Sequence, residues 1–261
     1  DINNDGWLDI YLSSVVGIHS FRGHNELYIN QQNGTFKETS REYNLDLQTY
    51  ALHSVFFDFD RDGDLDLYIL NHGVHSNSNY EREGLKNNEN ILPSNDRLLE
   101  NRNGKFIDIT RESGLIIGNV GYGLAASVAD INQDGWDDLY VSNDFFENDY
   151  LYINQKDGTF KESLNEYITS SSQFSMGNDI VDLNQDGYPE IFSLDMLADN
   201  EKILKKTTGE MSPSDLIRRR KLGYSDQFPR NHLQLNIKGE KFLEIANYSG
   251  VSATDWSWSA I

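Results

Sequence analysis

Asp58-Phe59-Asp60-Arg61-Asp62-Gly63-Asp64-Leu65-Asp66-Leu67-Tyr68-Ile69 sets acids on alternate positions, turns at a glycine and runs into an alternating apolar strand. The same frame, D-x-[DN]-x-D-G-x-x-[DE], starts again at Asp1, Asp130 and Asp182. Each loop leads into a strand pattern: Leu8 to Leu12, Leu65 to Ile69, Leu139 to Val141, and Ile191-Phe192. A second strand follows and ends in Asn30, Asn101, Asn154 or Asn236. A tight turn comes next, at Gly34, Gly104, Gly158 or Gly239, where Asn-Gly and Asp-Gly favour the positive φ of a hairpin. The return strand opens on Phe36, Phe106, Phe160 or Phe242. Ahead of the later loops stand Tyr50, Tyr122 and Phe174, each followed two residues on by Leu52, Leu124 or Met176.

Each unit therefore reads as four antiparallel strands, A to D, with the acidic loop joining A to B. Four-stranded units in series predict an all-β fold, a β-propeller of four-stranded blades. An irregular β-sandwich does not explain four marks recurring in one order. The repeats fall at approximately 1–49, 50–121, 122–173 and 174–255, so the chain spans about four blades of an incomplete propeller. Residues 256–261 repeat the A-strand mark as Trp256-x-Trp258 and begin a next blade. The chain opens inside a motif, and both ends are expected to cut through a repeat of something longer.

The loop pattern suits Ca²⁺, a hard cation that takes roughly six to eight oxygens. Positions 1, 3 and 5 offer Asp or Asn oxygens: Asp1, Asn3, Asp5; Asp58, Asp60, Asp62; Asp130, Asn132, Asp134; Asp182, Asn184, Asp186. Position 6 is Gly in all four, where the chain must turn sharply. Position 7 offers a backbone carbonyl, so its side chain is free to vary: Trp7, Asp64, Trp136, Tyr188. Position 9 closes each site with Asp9, Asp66, Asp138 or Glu190. Up to four ions are expected. The second loop is the most acidic, the fourth departs from the pattern at Pro189-Glu190, and the first lacks its leading strand. An EF-hand needs Glu at position 12 and flanking helices. Position 12 here is Leu12, Ile69, Val141 or Ser193, and the flanks alternate like strands.

Composition bounds the remaining classes. The formal charge is −20, and the loops hold a disproportionate share of the 42 acids. Such a chain does not present the basic surface that nucleic acid requires. It has no Cys, and no apolar run long enough to span a membrane.

The repeats resemble FG-GAP/VCBS repeats, the units of the integrin α-type propeller, over nearly the whole chain. Asp182 to Gly187, Leu194 to Leu197, Arg230 to Asn236 and Thr254 to Trp258 are similar, more narrowly, to Bacteroidetes VCBS-repeat proteins with a C-terminal ASPIC/UnbV region. The resemblance implies a propeller of about seven blades in the full protein. It also implies calcium ligation through loop positions 1, 3, 5, 7 and 9, and a place outside the cell or on the outer-membrane surface.

Alternation of strands puts the A–B loops and the C–D turns on one face. The B–C connections, roughly 13–25, 71–96, 142–149 and 193–231, lie on the other and vary most, so a protein or glycan partner is expected there. The last carries a helical insertion, 193–230, with helical spacing from Leu194 to Lys206 and Ser214 as cap of a second helix. It is rich in cations, among them Lys202, Lys205, Lys206, Arg218, Arg219, Arg220 and Lys221. Two solvated helix faces or a docking surface for an acidic partner both explain them. His72 and His75 read as surface residues. Trp7 and Trp136 have the shape to stack on sugars or to pack a hinge.

The leading functional reading is a non-catalytic, calcium-stabilised recognition module at the cell surface. One alternative is an accessory subunit of an outer-membrane nutrient-uptake complex. Another is a polysaccharide-degrading propeller enzyme, for which the chain offers no G-x-S-x-G, no H-E-x-x-H and no Cys nucleophile.

Overall fold

The alternating runs and tight turns fold into successive antiparallel meanders. A computed structural model of the chain describes residues 1–18, 20–73, 91–118, 121–207 and 213–260. The first sheet orders β1 (Ile10–Leu12), β2 (Glu26–Asn30) and β3 (Phe36–Glu38). The second orders β4 (Ala51–Phe57), β5 (Asp66–Asn71), β6 (Arg97–Asn101) and β7 (Phe106–Asp108). The third orders β8 (Gly123–Ala129), β9 (Asp138–Asn143), β10 (Tyr150–Asn154) and β11 (Phe160–Glu162). After β12 (Ser170–Ser172) comes the fourth, with β13 (Gly177–Val181), β14 (Glu190–Leu194), β16 (His232–Ile237) and β17 (Lys241–Glu244). Strands β4, β8 and β13 pack side by side, so the first strand of each blade is innermost. This is an all-β propeller architecture.

Strand periodicity explains how one strand serves two cores. Successive side chains point to opposite faces. Leu67 and Ile69 of β5 pack with Leu27, Ile29 and Leu45 toward blade 1. Tyr68 and Leu70, between and beyond them, pack with Val141, Tyr152 and Phe160 toward blade 3. The next seam is filled by Tyr140, Leu151, Ile153, Ile191 and Phe242. Loop position 2 plugs the same seams, with Ile2, Phe59 and Ile131 all buried. Each such buried side chain contributes about 1.5–3 kcal/mol, which is why the blade middles carry unbroken apolar runs.

The insertion carries helices on the face away from the acidic loops. Short turns of helix, α1 (Ser40–Tyr43) and α2 (Leu164–Tyr167), follow β3 and β11, and α5 (Ala246–Ser249) follows β17. Between β14 and β16 lie α3 (Glu201–Thr207), α4 (Pro213–Lys221) and β15 (Asp226–Phe228). Helical spacing placed the first of these from Leu194. It starts at Glu201, because Leu194 closes β14 and Asn200 caps the helix, its Oδ1 accepting the Lys202 N–H at 2.9 Å. Ser214 stands inside α4 rather than at its cap, since Pro213 takes the first helical position that its fixed φ favours.

The insertion is strapped to blade 3. Strand β15 pairs in parallel with β12. Gln227 Nε2 donates to Glu147 O at 2.7 Å, and Ser225 N donates to Asn148 Oδ1 at 3.1 Å. The buried Arg219 guanidinium lies 5.2 Å from the Phe146 ring centroid and 5.7 Å from that of Tyr224. In the second B–C connection His72 packs edge-on against Tyr122. His75 lies outside the described residues.

Candidate metal centres

The four acidic loops fold alike because the same atoms meet in each. Position 1 accepts two backbone N–H groups, one per carboxylate oxygen. Asp1 takes Asp5 N at 2.9 Å and Gly6 N at 2.7 Å, and Asp58 takes Asp62 N and Gly63 N, both at 3.1 Å. Asp130 and Asp182 repeat this with Asp134, Gly135, Asp186 and Gly187. Position 3 (Asn3, Asp60, Asn132, Asn184) accepts the position-5 N–H, and position 5 accepts the position-7 N–H of Trp7, Asp64, Trp136 or Tyr188. The position-6 glycines sit at φ +86, +95, +90 and +92°, and a built Cβ meets nothing within 4 Å except, at Gly135, the Arg61 side chain at an ordinary 3.6 Å. The backbone dihedral, not crowding, requires glycine there.

Position 4 also adopts the left-handed conformation, at Asn4, Arg61, Gln133 and Gln185. Sequence gave no warning of this, because the four residues share no chemistry beyond polarity. Two of them reach sideways, while Gln133 Nε2 donates to Asp130 O of its own loop at 3.1 Å. Asn4 Nδ2 donates to Gly63 O at 3.4 Å, and the Arg61 guanidinium lies 5.5 Å from the Trp136 ring centroid.

Position 9 acts as a clasp. Asp66 Oδ2 accepts Phe59 N at 3.2 Å and Asp66 Oδ1 accepts Asn101 N at 2.8 Å. Asp9 joins Ile2 N to Asn30 N, and Asp138 joins Ile131 N to Asn154 N, in the same manner. One carboxylate thus closes the loop and ties it to the end of strand C. Glu190 departs: its Oε2 takes Leu183 N at 2.8 Å, while Oε1 turns to Asn184 Nδ2 at 3.3 Å. The extra methylene carries the second oxygen back into the loop.

An ionised carboxylate has about four lone-pair sites, so these backbone bonds leave acceptor capacity on each loop acid. In the second loop, oxygens of Asp58, Asp60 and Asp66 all lie within 4.8 Å of one another. Burial pushes the Asp66 carboxyl up to about 8, with Asp60 and Asp64 adding repulsion. Burial and then Asp62, Asp60 and Asp58 push Asp64 up to about 6, and Asp60 is raised by burial and Asp62. Asp64 Oδ1 is buried without a hydrogen-bond partner. The other loops relieve the strain with an amide: Asn3 Nδ2 donates to Asp5 Oδ2 at 3.2 Å and Asn132 Nδ2 to Asp134 Oδ2 at 3.0 Å. Burial still raises Asp138 to about 7. Asp5, exposed, is lowered by the Trp7 N–H. An all-oxygen donor set with surplus negative charge and an orphaned carboxylate oxygen fits a hard divalent cation.

A second clasp lies at the opposite end of each blade and escaped the sequence reading. The residue just before strand C accepts the N–H thirteen positions beyond the loop start. Asn71 N donates to Asp96 Oδ1 and Asn143 N to Asp149 Oδ1, each at 2.8 Å. Ser14 N donates to Asn25 Oδ1 at 2.9 Å and Asp195 N to Asn231 Oδ1 at 2.7 Å. Where the clasp is Asp, a strand-B tyrosine completes it: Tyr68 to Asp96 at 2.7 Å and Tyr140 to Asp149 at 2.6 Å. Where it is Asn231, the tyrosine position holds Phe192, which needs no acceptor.

With loops, clasps and blades in this order, the family model for the FG-GAP-like repeat matches residues 1–69 and 130–193, just over half of the chain. The chain belongs to the FG-GAP-like repeat family. Part of this FG-GAP repeat protein is similar to integrin alpha-6 of Gallus gallus, at 37% identity over 82 residues. That stretch covers 27% of the chain and 8% of the integrin. A solved structure of an Agrocybe aegerita lectin, described for specific recognition of non-reducing terminal N-acetylglucosamine, aligns with 92% of the chain at 13% identity and TM-score 0.46. The chain spans 53% of that lectin chain. Among the described residues no helix is long and apolar enough to cross a membrane.

Proposed function

We propose that each loop holds one Ca²⁺ and that the chain is a non-catalytic recognition module working outside the cell. The observation that carries the calcium reading is the second loop, where Asp58, Asp60 and Asp66 converge within 4.8 Å beside the partnerless Asp64 Oδ1. Positions 1, 3, 5 and 9 would supply side-chain oxygens, and Trp7, Asp64, Trp136 and Tyr188 their carbonyls. A bound cation stabilises by neutralising the acids and by fixing a turn that already ties strands A, B and C together. Calcium suits the set better than magnesium, because flexible side-chain donors accept its larger, irregular shell.

Kinship with an integrin supports an extracellular setting. The narrower resemblance to VCBS-repeat proteins with an ASPIC/UnbV region would place the chain on a bacterial outer surface, and there an accessory role in uptake becomes the natural variant. A protein partner belongs on the face opposite the loops. The strapped insertion is preorganised there, and Lys202, Lys206, Arg218 and Lys221 are exposed on it.

Thermal unfolding of the chelated protein, followed by calcium addition, tests the reading. Saturating Ca²⁺ is expected to raise Tm by many degrees, since ligand at a hundred times its Kd adds about 2.7 kcal/mol per site. A Tm indifferent to calcium and to chelator overturns it.

A further inference from the structure

The seam between blades 2 and 3 differs from its neighbours. A turn after strand D precedes each seam, and its backbone is the same each time: the N–H of Tyr43, Ser113 or Tyr167 bonds the carbonyl four residues back. At the first seam the tyrosine fills the gap, Tyr43 lying 3.9 Å from a Cβ built on Gly104 of the next blade's C–D turn. At the third, Tyr167 packs onto the core beneath and shares a hydrogen bond with Asn132 of its own loop. At the middle seam the residue is Ser113, whose short side chain turns back to Thr110 O at 2.9 Å.

A cleft of about 620 Å³ opens there, bounded by Asp60 on one side and by the C–D turn at Gly158 on the other. That is the place Tyr43 occupies at the first seam. The volume lies within the ~300–1,000 Å³ typical of small-molecule sites. Trp136 lines it, joined by the aliphatic Ile107 and Ile109. Its polar walls come as acceptor–donor sets. Arg102 is bidentate to Glu100 at 2.5 and 2.7 Å, Thr159 Oγ1 donates to Asp157 at 2.6 Å, and Arg97 holds Asp108 at 2.8 Å.

We propose that this cleft binds one neutral hexopyranose unit of a glycan, stacked on the Trp136 indole. A pyranose has an apolar C–H face and a rim of hydroxyls that both donate and accept. An indole beside oriented carboxylates and cations complements both features. Carboxylates outnumber cations five to two among the lining residues, so uronate or sulfated sugars are rejected. Neither Trp136 nor Ser113 contributes a side chain to a calcium loop's donor set. The inference rests on the recognition reading of the chain, but not on the calcium reading.

A glycan array probed with the 1–261 chain, followed by calorimetry on the best neutral ligand, tests it. Binding to neutral hexose-terminated glycans, quenching of tryptophan fluorescence, and a Kd raised about tenfold by Trp136→Ala support the proposal. Blade 2 carries Asp64 at the equivalent position, so the loop does not need the indole to fold, which a circular-dichroism spectrum matching that of the parent chain verifies. Ile107→Arg, at a half-exposed position on the cleft wall, is a second variant expected to abolish binding. An array with no neutral ligand, preference for anionic glycans, or undiminished binding by both variants overturns it. If calcium leaves Tm unmoved while the glycan binds, the calcium reading fails and this one stands.

Discussion

Asn154 donates from Nδ2 to the carbonyl of Phe59 at 2.8 Å, 95 residues away in sequence and one blade back. Its other amide hydrogen reaches Asp137 O of its own loop at 3.3 Å, and its backbone N–H is held by Asp138. Asn236 repeats the arrangement one seam on, to Ile131 O at 2.9 Å and Pro189 O at 3.1 Å. The asparagines that end strand C in blades 3 and 4 therefore rivet their acidic loops to the ones before them, whereas Asn101 in blade 2 reaches Leu65 O of its own loop at 3.2 Å.

Asn154→Ala leaves the Phe59 carbonyl without its donor and is expected to destabilise by about 1–3 kcal/mol. Asn30→Ala, which breaks exposed bonds to Leu8 O and from Gln32 N but none across a seam, is expected to cost less. Urea unfolding of the two variants checks the order, and equal losses would refute the rivet.

Asp60→Asn gives the second loop the amide of the first and third. Two effects of opposite sign are expected. The chelated protein melts higher, because one of several mutually repelling carboxylates is gone. Calcium binds more weakly, because a charged ligand is gone. Melting in chelator and calorimetric titration separate them.

Asp149 gives the molecule a pH dependence. Burial raises its carboxyl to about 7 against the stabilising bonds from Asn143, Tyr140 and Ser175, with Asp195 adding repulsion. A carboxyl raised on folding binds its proton more tightly in the folded state. Its contribution is present in acid and lost as pH climbs from about 4 through about 7. Asp96 and Asp144, each raised to about 6 chiefly by burial, tilt the same way. Chelated protein should therefore melt lower at pH 8 than at pH 5.5. Asp149→Asn, the residue type blades 1 and 4 already use, should flatten that slope. A Tm that rises over this interval contradicts the assignment.

Arg219→Ala removes the guanidinium packed against Phe146 and Tyr224, contacts worth roughly 0.5–2 kcal/mol each when desolvated. The expected result is faster proteolytic cleavage between residues 201 and 224 with an unaltered calcium-induced Tm shift. Protection equal to the parent chain counts against the strap.

Much of this was legible in the sequence because each strand boundary carries a residue that only one backbone geometry favours. Asp-Gly and Asn-Gly mark turns, and Leu67 to Leu70 alternate between two cores. Loop positions 1, 3, 5, 6 and 9 were visible for the same reason. The rest was hidden by long-range context. Asp96 and Asp149 look like two more surface acids until folding buries them against tyrosines. The role of Asn154 depends on a carbonyl in another repeat. Parallel pairing of β12 with β15 joins two serine- and glutamine-bearing segments with no apolar alternation to announce it. The open seam at Ser113 is visible only when the turns are superposed.

Both clasps of a blade, the one at position 9 and the one before strand C, hold backbone N–H groups of their own repeat. The rivets from Asn154 and Asn236 meet main-chain carbonyls, groups that any residue supplies. A duplicated repeat would thus arrive with the backbone groups that its clasps hold, and its rivet asks of the neighbour only a peptide carbonyl. Such a chain can lengthen or shorten by whole units during descent without a matching change at the clasps or the rivets.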